Sequence, residues 1–190
     1  RDQDELLDSV NRIIEPYVNA DWFTGTVALY QSNEVVYQRS HGFADIDSGQ
    51  PITADTKIRI GSITKHYTAA LILRLIQHGV FELDDPLAKF DLGFPPNIAR
   101  KITIRHLLGH RSGFEDLFTE EYRNNYRSLK TIDDKLPLLM SKPLRFEPGT
   151  DRYYSNYGYI VLGAIVERTT GESFKQILEA EILEPIGALN

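Results

Sequence analysis

The 190-residue sequence predicts an α+β fold: an antiparallel sheet flanked by helices, plus a helical region, with the sheet left incomplete in this chain. Three observations predict it. An apolar pattern of helical period opens the chain. Two β-rich runs then flank a two-residue turn. From residue 62 onward, nearly every apolar segment has the helical period again.

Leu6, Leu7, Val10, Ile13, Ile14, Tyr17 and Val18 recur at helical spacing, so the N-terminus reads as an amphipathic helix. "TGTVALYQ" and "EVVYQRS" flank Ser32-Asn33, the length of a tight hairpin turn. "ADIDSGQPITADT" is polar and turn-rich, and "KIRI" is a short strand candidate. Ser62 to about His78 is helical, with Gly79 as a natural C-terminal cap. Pro86, Pro95 and Pro96 then punctuate loops, and short helices are expected at 103–108, 118–128 and 131–141. "FEPGTDRYYSN" is a loop, residues 156–168 are an apolar helix, and a last helix starts near Glu172 and ends before Pro185. No internal repeat or low-complexity linker divides the chain. Residues 1–190 therefore read as one portion of a domain, with helix, hairpin and strand in 1–61 and the helical region in 62–190. Two or three strands do not make an independently stable sheet, and an open hairpin edge needs a partner. The remaining strands are expected from a second polypeptide segment or from the rest of a longer protein.

Composition narrows the function classes. A net charge of −6 with no long basic run argues against nucleic acid and anionic membrane surfaces as partners. The absence of cysteine excludes disulfides, thiolate catalysis and zinc–thiolate sites. No apolar run reaches the roughly 18 residues of a membrane span. The chain begins at Arg1 without an initiator Met, as a processed periplasmic or extracellular protein would, so export is expected; a cytoplasmic location is also compatible.

The chemistry centres on "RIGSITKHYTAA", residues 59–70, where a turn glycine leads into a helix. A serine hydroxyl is a poor nucleophile until a base takes its proton. Positions three apart share a helix face, with Cβ atoms roughly 5–6 Å apart, so Lys65 can reach the Ser62 hydroxyl. The positive end of the helix dipole disfavours an ammonium there and favours developing negative charge. Backbone N–H groups at that end can hold an oxyanion. The alternative is plain: Ser62 caps the helix and Lys65 is solvated. With ten serines and eight lysines, a pair at this spacing arises by chance in roughly 0.4 places, so the pair alone decides nothing.

The surrounding blocks decide more. Tyr-x-Asn occurs at Tyr17–Asn19, Tyr122–Asn124 and Tyr154–Asn156, and only the last follows a Pro-Gly loop and opens an apolar helix. "GTVALYQSNEVVYQRSHGFAD", "GQPITADTKIRIGSITKHYTAALILRLIQHGVFELDDPL", "ITIRHLLGHRSGF" and "FEPGTDRYYSNYGYIVLGAIVERTTGESF" follow in order. In these blocks the chain resembles the serine β-lactamase and penicillin-binding-protein superfamily. The likeness is greatest to its class C-like branch with the related esterases and D-amino-acid peptidases, from about Thr24 to Asn190. The resemblance implies a β-lactamase/transpeptidase-like fold. It also implies a serine hydrolase that forms an acyl-enzyme at Ser62 on a β-lactam, a D-amino-acid peptide or a small ester. By the same resemblance, Tyr154 shares proton transfer with Lys65 and helps protonate the leaving group, and Asn156 bonds Lys65 and the substrate amide. A site of this kind needs no metal or organic cofactor. A class A-like mechanism with a glutamate-bound water fits less well, because Tyr154 holds the second-motif position. Two other readings stay open: a penicillin-recognising binding or sensor module with little turnover, and an inactive scaffold of the same fold.

Other features read as structural. His106 and His110 are four apart, but "HLLGH" has leucine where a zinc-protease helix needs glutamate. In "GHRSG" the serine, Ser112, is one place too late for a nucleophile elbow and follows a helix. Glu120 to Arg127 reads as a solvated charged face. Tyr153, Tyr157 and Tyr159 suit helix packing, though they could shape a cleft. The superfamily's third motif, a basic residue and a glycine on a strand after Tyr-x-Asn, has no match here. In "RTTG" at 168–171 the arginine is one place too early, and "RSG" at 111–113 precedes Tyr-x-Asn.

Overall fold

The computed structural model describes residues 3–189. The chain forms two compact units, the first ending at Arg59 and the second beginning at Ile60.

The first unit opens with α1 (Gln3–Asn19), followed by β1 (Gly25–Gln31) and β2 (Glu34–His41). The strands pair antiparallel with Gly25 opposite His41 and Gln31 opposite Glu34, and a bulge lies between Leu29 and Tyr30. Ser32 and Asn33 both have positive φ, 52° and 66°, the signature of the type I′ turn that matches strand twist. Tyr37 is buried, and its phenol donates to Asn11 Oδ1 at 2.9 Å, tying the hairpin to α1. The polar segment expected as turns also contains a small second hairpin, β3 (Phe43–Asp45) with β4 (Gln50–Pro51). Asp45 Oδ1 organises its loop by accepting the Asp47 and Ser48 N–H groups. "KIRI" is a correction: residues 57–60 form no strand. Among the described residues no strand pairs with them, and Ile60 already has helical dihedrals (φ −83°, ψ 0°). Strand propensity without a ladder partner does not make a strand. The sheets order as β1-β2 and β3-β4, so the outer edges of the main hairpin are unpaired among the described residues.

The second unit is helical. A 3₁₀ turn (Gly61–Ile63) runs into α2 (Thr64–Gln77). The helix ends in a Schellman motif: Gly79 at φ +73° donates to the Ile76 carbonyl at 2.9 Å and Val80 to Leu75 at 3.0 Å. Short helices follow: α3 (Pro96–Ala99), α4 (Ile104–Leu108), α5 (Glu120–Asn125), α6 (Ile132–Lys135) and α7 (Pro137–Met140). Thr103, Thr119 and Thr131 cap α4, α5 and α6 with their side chains. The long apolar helix α8 (Asn156–Thr170) carries the core and ends at Gly171, φ +75°. Finally α9 (Phe174–Leu178) continues into a π-helical turn (Glu179–Leu183). Val161, Leu162, Ile165 and Val166 of α8 are fully buried, as are Leu71 and Ile72 of α2 and Ile104 and Leu107 of α4. Burial on this scale, about 1.5–3 kcal/mol per large apolar side chain, fixes the N-terminal ends of α2 and α8. Those ends carry the polar residues described next. No helix among the described residues is long and apolar enough to cross a membrane.

Candidate active site

The serine does not cap its helix. No side chain caps the 3₁₀ turn or α2. Gly61, at φ +54°, lets the chain turn from the 57–60 segment into the 3₁₀ turn, a conformation that costs other residues strain. Ser62 Oγ lies 2.8 Å from the Tyr154 phenol oxygen, and Lys65 Nζ donates to Ser62 Oγ at 3.3 Å. Lys65 Nζ also donates to Asn156 Oδ1 at 2.6 Å and lies 5.0 Å from the centre of the Tyr154 ring. The four residues singled out in the sequence, from Ser62 to Asn156, thus form one connected group. The other two Tyr-x-Asn matches lie in α1 and α5.

Asp116, which the sequence did not single out, and His110, which it read as structural, hold the group in place. Asp116 Oδ1 accepts the Asn156 backbone N–H at 2.7 Å and its side-chain amide at 3.0 Å, and Oδ2 accepts the same amide at 3.3 Å. The amide nitrogen is thereby committed to Asp116, and the amide oxygen is left facing Lys65. His110 stacks on Tyr154 with ring centres 4.5 Å apart and 34° between planes. Its Nδ1 accepts the Ser155 N–H at 3.3 Å, which places the ring proton on Nε2. Burial, together with the Lys65 and Arg152 charges, holds the imidazole below its usual range, so the neutral acceptor form is favoured. Ser155 itself caps α8: its Oγ accepts the Gly158 N–H at 3.2 Å and donates to the Glu115 carbonyl at 2.8 Å. Tyr153 N–H donates to the His110 carbonyl at 2.9 Å and Arg145 N–H to the Gly113 carbonyl at 2.8 Å, so the two loops are laced together. Gly113, φ +81°, sits at the closest approach: a Cβ there would lie 2.4 Å from the Phe146 carbonyl oxygen.

Burial pushes the Tyr154 phenol up, but the Lys65 ammonium and the Ser62 hydroxyl beside its oxygen outweigh that. The net shift is downward. Tyr154 is 47% exposed and Ser62 is exposed, so both residues are open to solvent. An arrangement of this kind can pass a proton from a hydroxyl to a phenol oxygen beside a fixed cation.

The features read as structural are placed so. Ser112 is buried in the turn, its Oγ accepting the Phe114 N–H at 3.3 Å. His106 closes a capping box with Thr103. No group of residues suited to a metal ion occurs among the described residues. The Tyr157 hydroxyl is buried, raised by that burial, and donates to the Leu136 carbonyl. Tyr159 donates to the Leu108 carbonyl at 3.2 Å, and Arg145 lies 4.0 Å over the Tyr153 ring.

Comparison with known proteins identifies relatives of the chain. A family model described as Beta-lactamase matches residues 10–190. Esterase EstB of Burkholderia gladioli is 35% identical over 178 residues, which are 86% of this chain and 45% of the esterase. A penicillin-binding protein of Bacillus subtilis is 30% identical over 168 residues, 87% of this chain and 37% of that protein. The solved structure of an octameric penicillin-binding protein homologue from Pyrococcus abyssi superposes with a TM-score of 0.85 at 28% identity. It covers 95% of this chain and 43% of its own. The chain thus spans less than half the length of these relatives. The fold they share with it is β-lactamase/transpeptidase-like, here helical with a small antiparallel sheet that is not closed.

Proposed function

The chain belongs to the β-lactamase family, and on that ground we propose that it carries the nucleophile half of a serine hydrolase acting through an acyl-enzyme on β-lactams, D-amino-acid peptides or small esters. The observation that carries this reading is the position of Ser62 Oγ, 2.8 Å from the Tyr154 oxygen and 3.3 Å from Lys65 Nζ. In the proposed mechanism Ser62 Oγ attacks the substrate carbonyl carbon while its proton passes to the Tyr154 oxygen. Lys65 supplies the neighbouring positive charge. The Ser62 backbone N–H, in the 3₁₀ turn before α2, is one donor to the oxyanion. Collapse of the tetrahedral intermediate breaks the bond to the leaving group, which takes the proton from Tyr154. Water then attacks the acyl carbon while its proton passes to Tyr154, and collapse breaks the bond to Ser62 Oγ, which takes that proton back from Tyr154 to leave the free acid and the Ser62 hydroxyl. Tyr154 and Lys65 act as one coupled unit in each transfer. Asn156 and Asp116 position the Lys65 end of that unit.

A second oxyanion donor and a basic residue for a substrate carboxylate are assigned to strands outside this chain. The unpaired edges of β1 and β2 support further strands, either from the remainder of a longer protein or from a second polypeptide.

The test is mass spectrometry combined with steady-state assay, on the intact protein with a penicillin, an activated ester and a D-amino-acid peptide. A transient acyl adduct with continuing turnover of at least one of these is the expected result. An adduct that persists without turnover would assign a penicillin-recognising binding protein instead, and no adduct with any reagent would leave an inactive scaffold.

A further inference from the structure

We propose that Tyr159 is a positioning residue: its ring is a second aromatic wall that, with the Tyr154 ring, holds the Lys65 ammonium in place beside Ser62. This deepens the reading of Ser62 as nucleophile and rests on it. Lys65 Nζ lies 5.0 Å from the centre of the Tyr154 ring and 5.6 Å from that of Tyr159. Both distances are inside the roughly 6 Å reach of a cation–π contact. The hydrogen bonds of the ammonium go to Ser62 Oγ at 3.3 Å and Asn156 Oδ1 at 2.6 Å. Among the described residues no carboxylate forms an ion pair with Lys65. While Tyr154 keeps its proton, the ammonium is held by uncharged partners.

Uncharged partners matter to the chemistry. A carboxylate at ion-pair distance would hold the ammonium but cancel most of its field. Tyr154 would then lose the positive charge that favours its phenolate. A ring face attracts the cation through its quadrupole and leaves the net charge in place. Asp116, the carboxylate behind Asn156, is occupied by the Asn156 backbone and side-chain N–H groups. The fold also fixes the Tyr159 ring without help from Lys65. Tyr159 lies three residues beyond Asn156 on α8, so the two share a helix face. Its hydroxyl donates to the carbonyl of Leu108, the last residue of α4, at 3.2 Å. The His110 ring packs against Tyr159 with centres 5.2 Å apart and against Tyr154 at 4.5 Å, bracing both rings that face the ammonium. Burial, together with the neighbouring Tyr154, holds the Tyr159 phenol above its ordinary value, so Tyr159 stays neutral and does not share the proton-transfer work of Tyr154.

The experiment measures pre-steady-state acylation of the intact protein by an activated ester. Tyr159→Phe and Tyr159→Leu are each made in the wild-type and in the Lys65→Met background. Phenylalanine keeps the ring and loses only the bond to Leu108, so its rate is expected to stay close to wild type. Leucine removes the ring and is expected to slow acylation by roughly three- to thirtyfold, the range for losing one cation–π contact. In the Lys65→Met background no cation is left to hold, so the leucine substitution should cost less than about twofold. A purely structural role would instead cost the same in both backgrounds. Equal losses in both backgrounds, a leucine loss below about threefold in the wild-type background, or a phenylalanine variant as slow as the leucine one overturns the proposal. A second readout needs no catalysis: NMR of protein labelled with ¹³C-lysine, with Lys65 assigned by its loss in Lys65→Met. The Lys65 ε-methylene signal is expected upfield of the other lysines, through the ring currents of both faces. It should stay there in Tyr159→Phe and move back in Tyr159→Leu. If no variant is acylated, the nucleophile reading falls and this signal decides alone. A shift lost only with leucine keeps the contact between Tyr159 and the ammonium, and a shift absent from the wild type or unmoved by leucine removes it.

Discussion

Replacing Lys65 by methionine is expected to slow acylation of Ser62 by a factor of about 10²–10⁴, the usual range for losing one positioned proton-transfer group. Lys65 holds three parts of the site at once. Its ammonium donates to Ser62 Oγ at 3.3 Å and to Asn156 Oδ1 at 2.6 Å, and it lies 5.0 Å from the Tyr154 ring centre. Methionine keeps the length of the stem and removes the charge. The phenol then loses the cation that offsets its desolvation, so its affinity for a proton rises and its anion becomes scarce. The Asn156 oxygen loses its donor, which costs about 1–3 kcal/mol if the group stays dry. A thermal melt separates that stability loss from the rate effect. The readout is the pre-steady-state rate of adduct formation, and a loss below tenfold in a folded variant would contradict the role given to Lys65.

Tyr154→Phe is expected to lower kcat/KM by a similar factor of about 10²–10⁴ while leaving the fold intact. The change deletes only the oxygen 2.8 Å from Ser62 Oγ. The ring still stacks on His110 at 4.5 Å, and the backbone bond from Tyr153 to His110 is untouched. The pH profile gives a second, independent sign. Tyr154 titrates below the usual tyrosine value, so wild-type kcat/KM should rise with pH through that lowered pKa and then level as the phenolate fills. The phenylalanine variant should lack that rising limb. A rising limb that survives in Tyr154→Phe would place the titrating base elsewhere.

Ser62, Lys65, Tyr154 and Asn156 could be singled out in the sequence because a serine and a lysine three apart behind a turn glycine, and a Tyr-x-Asn between a Pro-Gly loop and an apolar helix, are local patterns. The resemblance of the surrounding blocks was needed to choose them, since the serine–lysine pair alone decides nothing. Most helices were legible from local periodicity, but α3 (Pro96–Ala99) falls where a loop was expected and the helix expected at 131–141 is divided into α6 and α7. The sequence placed Ser62 in the first helical turn; it sits in a 3₁₀ turn just before α2, a shift of the size that helix ends commonly show. Asp116 and His110 were hidden because their work is tertiary. Asp116 acts on a residue 40 positions away and His110 on one 45 away. Nothing local to "HRSGFED" shows that its loop is laced to residues 145–156. His110 even carried a misleading signal, its four-residue spacing from His106, which proves to be a capping box and a stacking platform. "KIRI" failed in the opposite direction: its propensity suits a strand, but a strand exists only beside another, and none flanks it among the described residues.

The most direct measurement is to acylate the intact protein with a penicillin or an activated ester, digest it with trypsin, and map the modified residue. Cleavage after Arg59 and Lys65 releases Ile60–Lys65, a peptide whose single serine is Ser62. The expected result is the acyl mass on that peptide, at Ser62, and its disappearance in Ser62→Ala. Acyl label on any other residue, or equal labelling of Ser62→Ala, would contradict the assignment of Ser62 as the nucleophile.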